Sequence, residues 1–258
     1  MAGHVAVVMP AYNEAEGISG FIAEIIDAVS PLVGTLTVHV ADDCSTDDTA
    51  GVVRAQGDAR VEVVTQPANR GHGPTAIAAY RLGLASGADL IVHVDGDGQF
   101  RGSDIARVLS AAETTGAAAV HGVRRGRTDP WYRRVLSGSL RLGSRLLVPR
   151  AIPDMNTPLR AYPREALIEL LEALPENPLV PHVHLSILEA RWRMPVRYVA
   201  VRSLPRRGQS STGTMWGQRT RRVSLPPRAL VVFVWRASAE VCVAGWRRAP
   251  AAHRRSDS

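Results

Sequence analysis

The 258-residue chain contains no lysine; all 31 of its basic residues are arginine. GC-rich coding is the ordinary source of such a bias, and no mechanism is drawn from it. Cysteine is nearly as scarce, with Cys44 and Cys242 alone, which excludes a disulfide framework and points to a reducing compartment. Long hydrophobic runs are missing too. The apolar stretch at 229–235 stops at Arg236, well short of the about 20 uncharged residues that a spanning helix needs. The opening MAGHVAVVMP has no basic segment ahead of an apolar one, so no signal peptide is expected. Aromatic residues are only 5% of the chain, and the rear half does not interleave them with its arginines. That speaks against a nucleic-acid binder, which needs stacking platforms beside its charge.

Apolar residues are present at 45%, enough for the core of one good-sized domain, alone or with an appendage. Charge is split along the chain. Residues 1–120 hold 6 Arg against 15 Asp and Glu, a balance of −9, while 121–258 hold 25 Arg against 9 acids, a balance of +16. An acidic front suits a cation site, and a basic rear suits an anionic partner such as lipid phosphate or a membrane face.

Strand-like runs at 5–9, 36–40, 61–64, 90–94 and 117–120 alternate with helical stretches at 18–29, 46–55, 74–85 and 103–113. Thr46 and Ser103 with Asp104 read as helix starts. The alternation implies an α/β fold, a mainly parallel sheet with helices on both faces. Further on, 165–174 and 185–191 read as helices and 196–201 as a strand. Residues 133–148 interleave arginines with Leu and Val, which predicts either an amphipathic helix on the sheet or one lying on an anionic membrane surface.

Ligands of such sheets bind at the carboxyl ends of strands, and there the polar signals gather: "PAYNEAE", "ADDCSTDDT", "QPANRGHG" and "DGDGQ" follow the first four strands. Asp95 and Asp97, two apart in an extended chain, can face one ligand. Their hard oxygens suit Mg²⁺ or Mn²⁺ bridging to a diphosphate. Asp42 and Asp43 are placed to accept hydrogen bonds from a ribose or base edge. Asn13 and Glu14 can do the same, although Asn13 also reads as a helix N-cap. "GHGPTA", 71–76, fits the dinucleotide fingerprint, but it stands in the third strand–helix unit while the first turn lacks the glycines.

Taken together these loops resemble glycosyltransferase family 2, the inverting GT-A glycosyltransferases, most closely the branch of dolichyl- and polyprenyl-phosphate mannosyl- or glucosyltransferases. "VVMPAYNEAEGI" is similar to the opening nucleotide motif, "ADDCSTDDT" to D-D-G-S-x-D-G-T, and "NRGHGPTAIAAYRLGLASGADLIVHVDGDGQF" to the central signature ending in D-x-D-x-Q. The resemblance implies that Pro10, Tyr12, Asn13, Glu14, Asp42, Asp43 and Asp95 touch the nucleotide, and that Asp95, Asp97 and Gln99 hold the metal. It places Arg124, Arg134 and Asp154 with Asp97 in the catalytic set, and Ser137, Arg160, Arg206 and Ser210 on the acceptor side. Cys44 and Asp48 replace family glycines, "RRGQSS" is one residue off the R-x-x-G-x-S spacing, and His182 and His184 stand where relatives carry Q-x-E.

The implied organisation is a nucleotide-sugar and metal-binding half (1–122), an acceptor half of the same GT-A domain (123–212) and a basic tail (213–258). The implied activity is transfer of a hexose from an NDP-sugar, of GDP-mannose or UDP-glucose type, to a polyprenyl phosphate, with Mg²⁺ or Mn²⁺ as cofactor. Transfer to a sugar hydroxyl wants a general base, for which Asp154 and His184 are the candidates. A phosphate acceptor, with a second pKa of about 6, needs none. A soluble acceptor such as a glycan or secondary metabolite, and a noncatalytic nucleotide-binding protein, are the alternatives. The expected location is cytoplasmic, with any peripheral contact at the inner face of an anionic membrane and no nucleic-acid partner.

Overall fold

A computed structural model describes residues 3–125 and 152–208. Seven strands form one sheet: β1 (His4–Ala11), β2 (Thr35–Asp42), β3 (Val61–Thr65), β4 (Leu90–His93), β5 (Ala119–Arg125), β6 (Arg160–Pro163) and β7 (Val196–Arg202). Their spatial order is β3-β2-β1-β4-β6-β5-β7. Among the described residues six α-helices accompany them: α1 (Ile18–Val29), α2 (Thr49–Arg54), α3 (His72–Ala85), α4 (Gly102–Thr115), α5 (Arg164–Glu172) and α6 (Pro181–Arg191).

Strand β1 runs parallel to both β2 and β4, and its alternation builds the two faces. Val5, Val7 and Met9 meet Phe21, Ile22 and Ile25 of α1 and Ile105 and Val108 of α4. Ala6 and Val8 face Ile77 and Tyr80 of α3, Leu167 of α5 and Leu185 of α6. Each large aliphatic side chain buried this way contributes about 1.5–3 kcal/mol.

The expected parallel α/β sheet is present with one addition. Strand β6 runs antiparallel to both β4 and β5, in a stretch read from the sequence only as an acceptor motif. The helix starts also differ. Helix α2 begins after Asp48 and α4 after Arg101, neither with a side-chain cap, and α1 is preceded by Gly17, so Asn13 is not its N-cap. Among the described residues no helix is long and apolar enough to cross a membrane. The stretch 133–148 and the tail 213–258 lie outside the described residues.

Candidate active site

The C-terminal ends of β1, β2 and β4 and the start of α3 enclose a cleft of about 400 Å³. Pro10, Tyr12, Glu14, Asp43, Asp95, Asp97 and Arg206 of the expected set line it, joined by Asn69, Gly71, His72 and Thr75. Parallel pairing of β1 with β4 brings the loops together: Gly96 N donates to Pro10 O at 3.1 Å.

The first loop is shaped by Asn13, a buried residue in the left-handed region (φ 55°). Its Oδ1 accepts from Thr46 N at 2.8 Å and Asp47 N at 3.3 Å, so Asn13 ties the first loop to the second. Asp42 turns inward and accepts from Ser45 N and Ser45 Oγ. It does not line the cleft. Asp43 does line it, and its two oxygens accept from Arg70 N (2.8 Å) and Gly71 N (2.9 Å).

Helix α3 begins at His72, where "GHGPTA" raised the dinucleotide fingerprint. Its glycines have other reasons. Gly71 has φ +84°, and a Cβ on Gly73 would stand 1.9 Å from Pro178 O, so only glycine lets the helix start against that segment.

Beyond β4, Asp97 accepts from Gln99 N at 3.1 Å. Burial, and then the charge of Asp95, lift its carboxyl to about 6. Asp95 Oδ1 is buried with no hydrogen-bond partner, 3.8 Å from His72 Nε2. An orphaned buried carboxylate oxygen beside a second, half-buried carboxylate is costly without a cation. These oxygens therefore fit a hard divalent ion, which commonly takes one or two carboxylates and completes its shell with phosphate oxygens and water. No three or more His, Cys, Asp or Glu side chains among the described residues form a ready metal cage. Gln99 takes part through its backbone, its carbonyl accepting from Leu204 N at 2.9 Å. Gln99 is not in the cleft lining.

Arg206 reaches the cleft from a segment that crosses the Asp95–Asp97 loop, where Arg207 N donates to Asp97 O at 2.9 Å. The Arg206 guanidinium forks onto Glu14, with Nε 3.1 Å from Oε2 and its NH2 group on Oε1. Burial lifts the Glu14 carboxyl to about 8 against the opposing charge of Arg206, with Asp97 and Asp95 adding to the rise.

Other expected residues stand elsewhere. Arg124 and Asp154 pair with each other at 2.8 and 3.0 Å outside the cleft lining. Arg160 is fully buried, and its guanidinium donates to Thr157 O, Tyr162 Oη, Met155 O and Ser186 Oγ, with Glu189 Oε1 3.5 Å from its NH1 group. Arg160 is thus bound into the core and is not in the cleft lining. His182 and His184 are buried in α6, and neither His184 nor Asp154 lines the cleft as a base would. Arg134, Ser137 and Ser210 lie outside the described residues.

The model of the family described as "Glycosyl transferase family 2" matches residues 6–171, more than half of the chain. The chain belongs to glycosyl transferase family 2. An undecaprenyl-phosphate mannosyltransferase of Micrococcus luteus is 32% identical over 63% of this chain and 68% of its own length. An undecaprenyl-phosphate 4-deoxy-4-formamido-L-arabinose transferase of Sodalis glossinidius is 26% identical over 75% of this chain, which spans only 59% of that relative. The solved glucosyl-3-phosphoglycerate synthase of Mycobacterium tuberculosis, in complex with Mn²⁺, UDP-glucose and phosphoglyceric acid, superposes with a TM-score of 0.65 at 22% identity. The superposition covers 96% of this chain and 81% of that one. The fold of this family 2 chain is thus GT-A, as expected from its loops.

Proposed function

We propose that this family 2 protein is a metal-dependent inverting glycosyltransferase that moves a hexose from an NDP-sugar to a polyprenyl phosphate. The carrying observation is the buried, unpartnered Asp95 oxygen next to Asp97 at the sheet's ligand-binding edge. Relatives whose names state transfer to undecaprenyl phosphate support the acceptor class. Asp95 and Asp97 would hold Mg²⁺ or Mn²⁺, which supplies positive charge to the departing diphosphate.

In this reading the residues around the cleft divide the work. Pro10, Tyr12 and Asp43 border the nucleotide, and Asn13 fixes their loop. Arg206 lines the cleft with its fork on Glu14, and a phosphate entering there would take that fork over from Glu14. An oxygen of the acceptor phosphate attacks the sugar C1 from the side opposite the diphosphate. The C1–O bond to the diphosphate breaks, the NDP leaves with the electron pair, and the configuration at C1 inverts. A phosphate dianion needs no deprotonation, in keeping with the absence of Asp154 and His184 from the lining. Peripheral contact with an anionic membrane, where such a lipid resides, belongs to the same reading and predicts salt-sensitive flotation with anionic liposomes.

Radiolabelled GDP-mannose or UDP-glucose with a short-chain polyprenyl phosphate and Mn²⁺ tests the proposal. Label is expected to enter the organic phase, and Asp97→Asn to lower that rate about 100-fold or more. Label that passes only to a soluble acceptor overturns the lipid assignment. A rate indifferent to Asp97 overturns the site.

A further inference from the structure

His72 is assigned to nothing above, yet its side chain is close to the unpartnered oxygen. Its Nε2 lies 3.8 Å from Asp95 Oδ1, too far for a hydrogen bond, while that oxygen is buried and otherwise unbonded. The imidazole thus stands beside the buried oxygen without giving it a hydrogen bond. That arrangement is unfavourable by itself and becomes favourable when a cation enters between the two. Adjacent ligands of an octahedral ion at about 2.1 Å stand about 3 Å apart, so a rotamer adjustment of under about 1 Å would close the pair on one ion.

The backbone that carries His72 is held in place, while its side chain is exposed at the cleft. Asp43 accepts from both Arg70 N and Gly71 N directly ahead of it. Arg70 is bonded in turn to Asn177, and Gly73 lies against Pro178 O so closely that no side chain fits between. Helix α3 therefore begins from a fixed point, and its first residue is the histidine. A histidine carried on so fixed a stretch of backbone at the lip of a cleft needs only a side-chain rotation to meet a ligand.

We infer that His72 is a nitrogen ligand of the divalent ion carried by Asp95 and Asp97, and that it biases this site toward Mn²⁺ and away from Mg²⁺. Imidazole is a better donor to first-row transition ions than to Mg²⁺, which favours oxygen. The inference rests on the glycosyltransferase reading only in requiring an ion at those aspartates.

The test uses the full chain with Mn²⁺ and inorganic pyrophosphate, which contains no nitrogen. Electron spin echo envelope modulation is expected to show a directly coordinated ¹⁴N that disappears in His72→Gln. The Mn²⁺-over-Mg²⁺ affinity ratio, measured by competition, is expected to fall about tenfold in the same variant. Unchanged thermal melting of His72→Gln would separate this loss from misfolding, and His72→Ala gives a second variant should that one be unstable. Mn²⁺ bound through Asp97 with no ¹⁴N coupling, a coupling retained in both variants, or an unchanged ratio overturns the role of His72 and leaves the glycosyltransferase reading standing. No Mn²⁺ binding at all, with or without pyrophosphate, overturns both.

Discussion

Four carboxylates line the cleft, and each is held differently. Asp43 is filled by backbone amides, Asp97 takes the Gln99 amide, Glu14 faces Arg206, and Asp95 keeps one oxygen unbonded. The first three motifs marked the right strand ends because carboxylates beside buried runs are expensive and stand out. Which carboxylate faces inward was not legible. Asp42 and Asp43 are neighbours in sequence, yet one knots its own loop and the other opens onto the cleft, a choice made by Ser45 and by the amides of Arg70 and Gly71. Nor could the sequence pair Glu14 with Arg206 across 192 positions. Titration follows from this crowding. The Glu14 carboxyl sits at about 8 in the folded protein, against an ordinary value of 4.5, so the native state holds the proton more tightly than the unfolded chain. Stability of the metal-free protein is therefore expected to be highest below about 4.5 as far as this group is concerned, and to fall as pH rises toward 8. Asp97 adds to the same slope up to about 6. Urea denaturation across this range should show the decline in wild type and a flatter profile in Glu14→Gln. A wild-type midpoint that does not move with pH would contradict it.

Strand β6 shows what a short element hides. Its four residues carry no periodicity long enough to read, and only the family resemblance singles out Arg160 in it, on the acceptor side. Tertiary surroundings decide otherwise. Arg160 enters the interior between β4 and β5, where Tyr162 Oη donates to Glu189 Oε1 at 2.6 Å and His121 Nε2 lies 3.1 Å from Oε2. Burial raises the Glu189 carboxyl, but His121 and Arg160 more than offset it and leave it below its usual range. The antiparallel strand is thereby fastened to α6. Removing one member of such a buried ionic group leaves the other uncompensated, so Glu189→Ala is expected to cost about 3–5 kcal/mol. Equilibrium urea unfolding measures it, and a loss below about 1 kcal/mol would show that the network is not structural. The longer elements, by contrast, were readable. Helix α1 buries Ile18, Phe21, Ile22, Ile25, Ile26 and Val29, the same face that its 3.6-residue spacing announces.

Across the whole molecule, the last described residues matter most. Residues 204–207 cross the Asp95–Asp97 loop with two backbone hydrogen bonds, Leu204 N to Gln99 O and Arg207 N to Asp97 O, each 2.9 Å. Arg207 continues onto Glu24 and lies 5.2 Å over the Phe21 ring. The crossing is close because Gly98 is in the left-handed region (φ +67°), and a Cβ there would stand 2.5 Å from Arg207 Cδ. Gly98→Ala is thus expected to combine backbone strain of about 1–3 kcal/mol with a displaced segment. It should weaken Mn²⁺ binding more than it lowers the melting temperature of the metal-free protein, as titration calorimetry and thermal melts can compare. Equal affinity in the variant would mean that the crossing segment has no bearing on the ion.

The same two hydrogen bonds have a mechanical meaning. They join the loop bearing Asp95 and Asp97 to a point only a few peptide bonds ahead of residues 209–258, which hold many of the chain's arginines. A surface that grips those arginines would therefore pull on a tether fastened to the chemistry itself, and docking and turnover would be coupled through a single short piece of backbone.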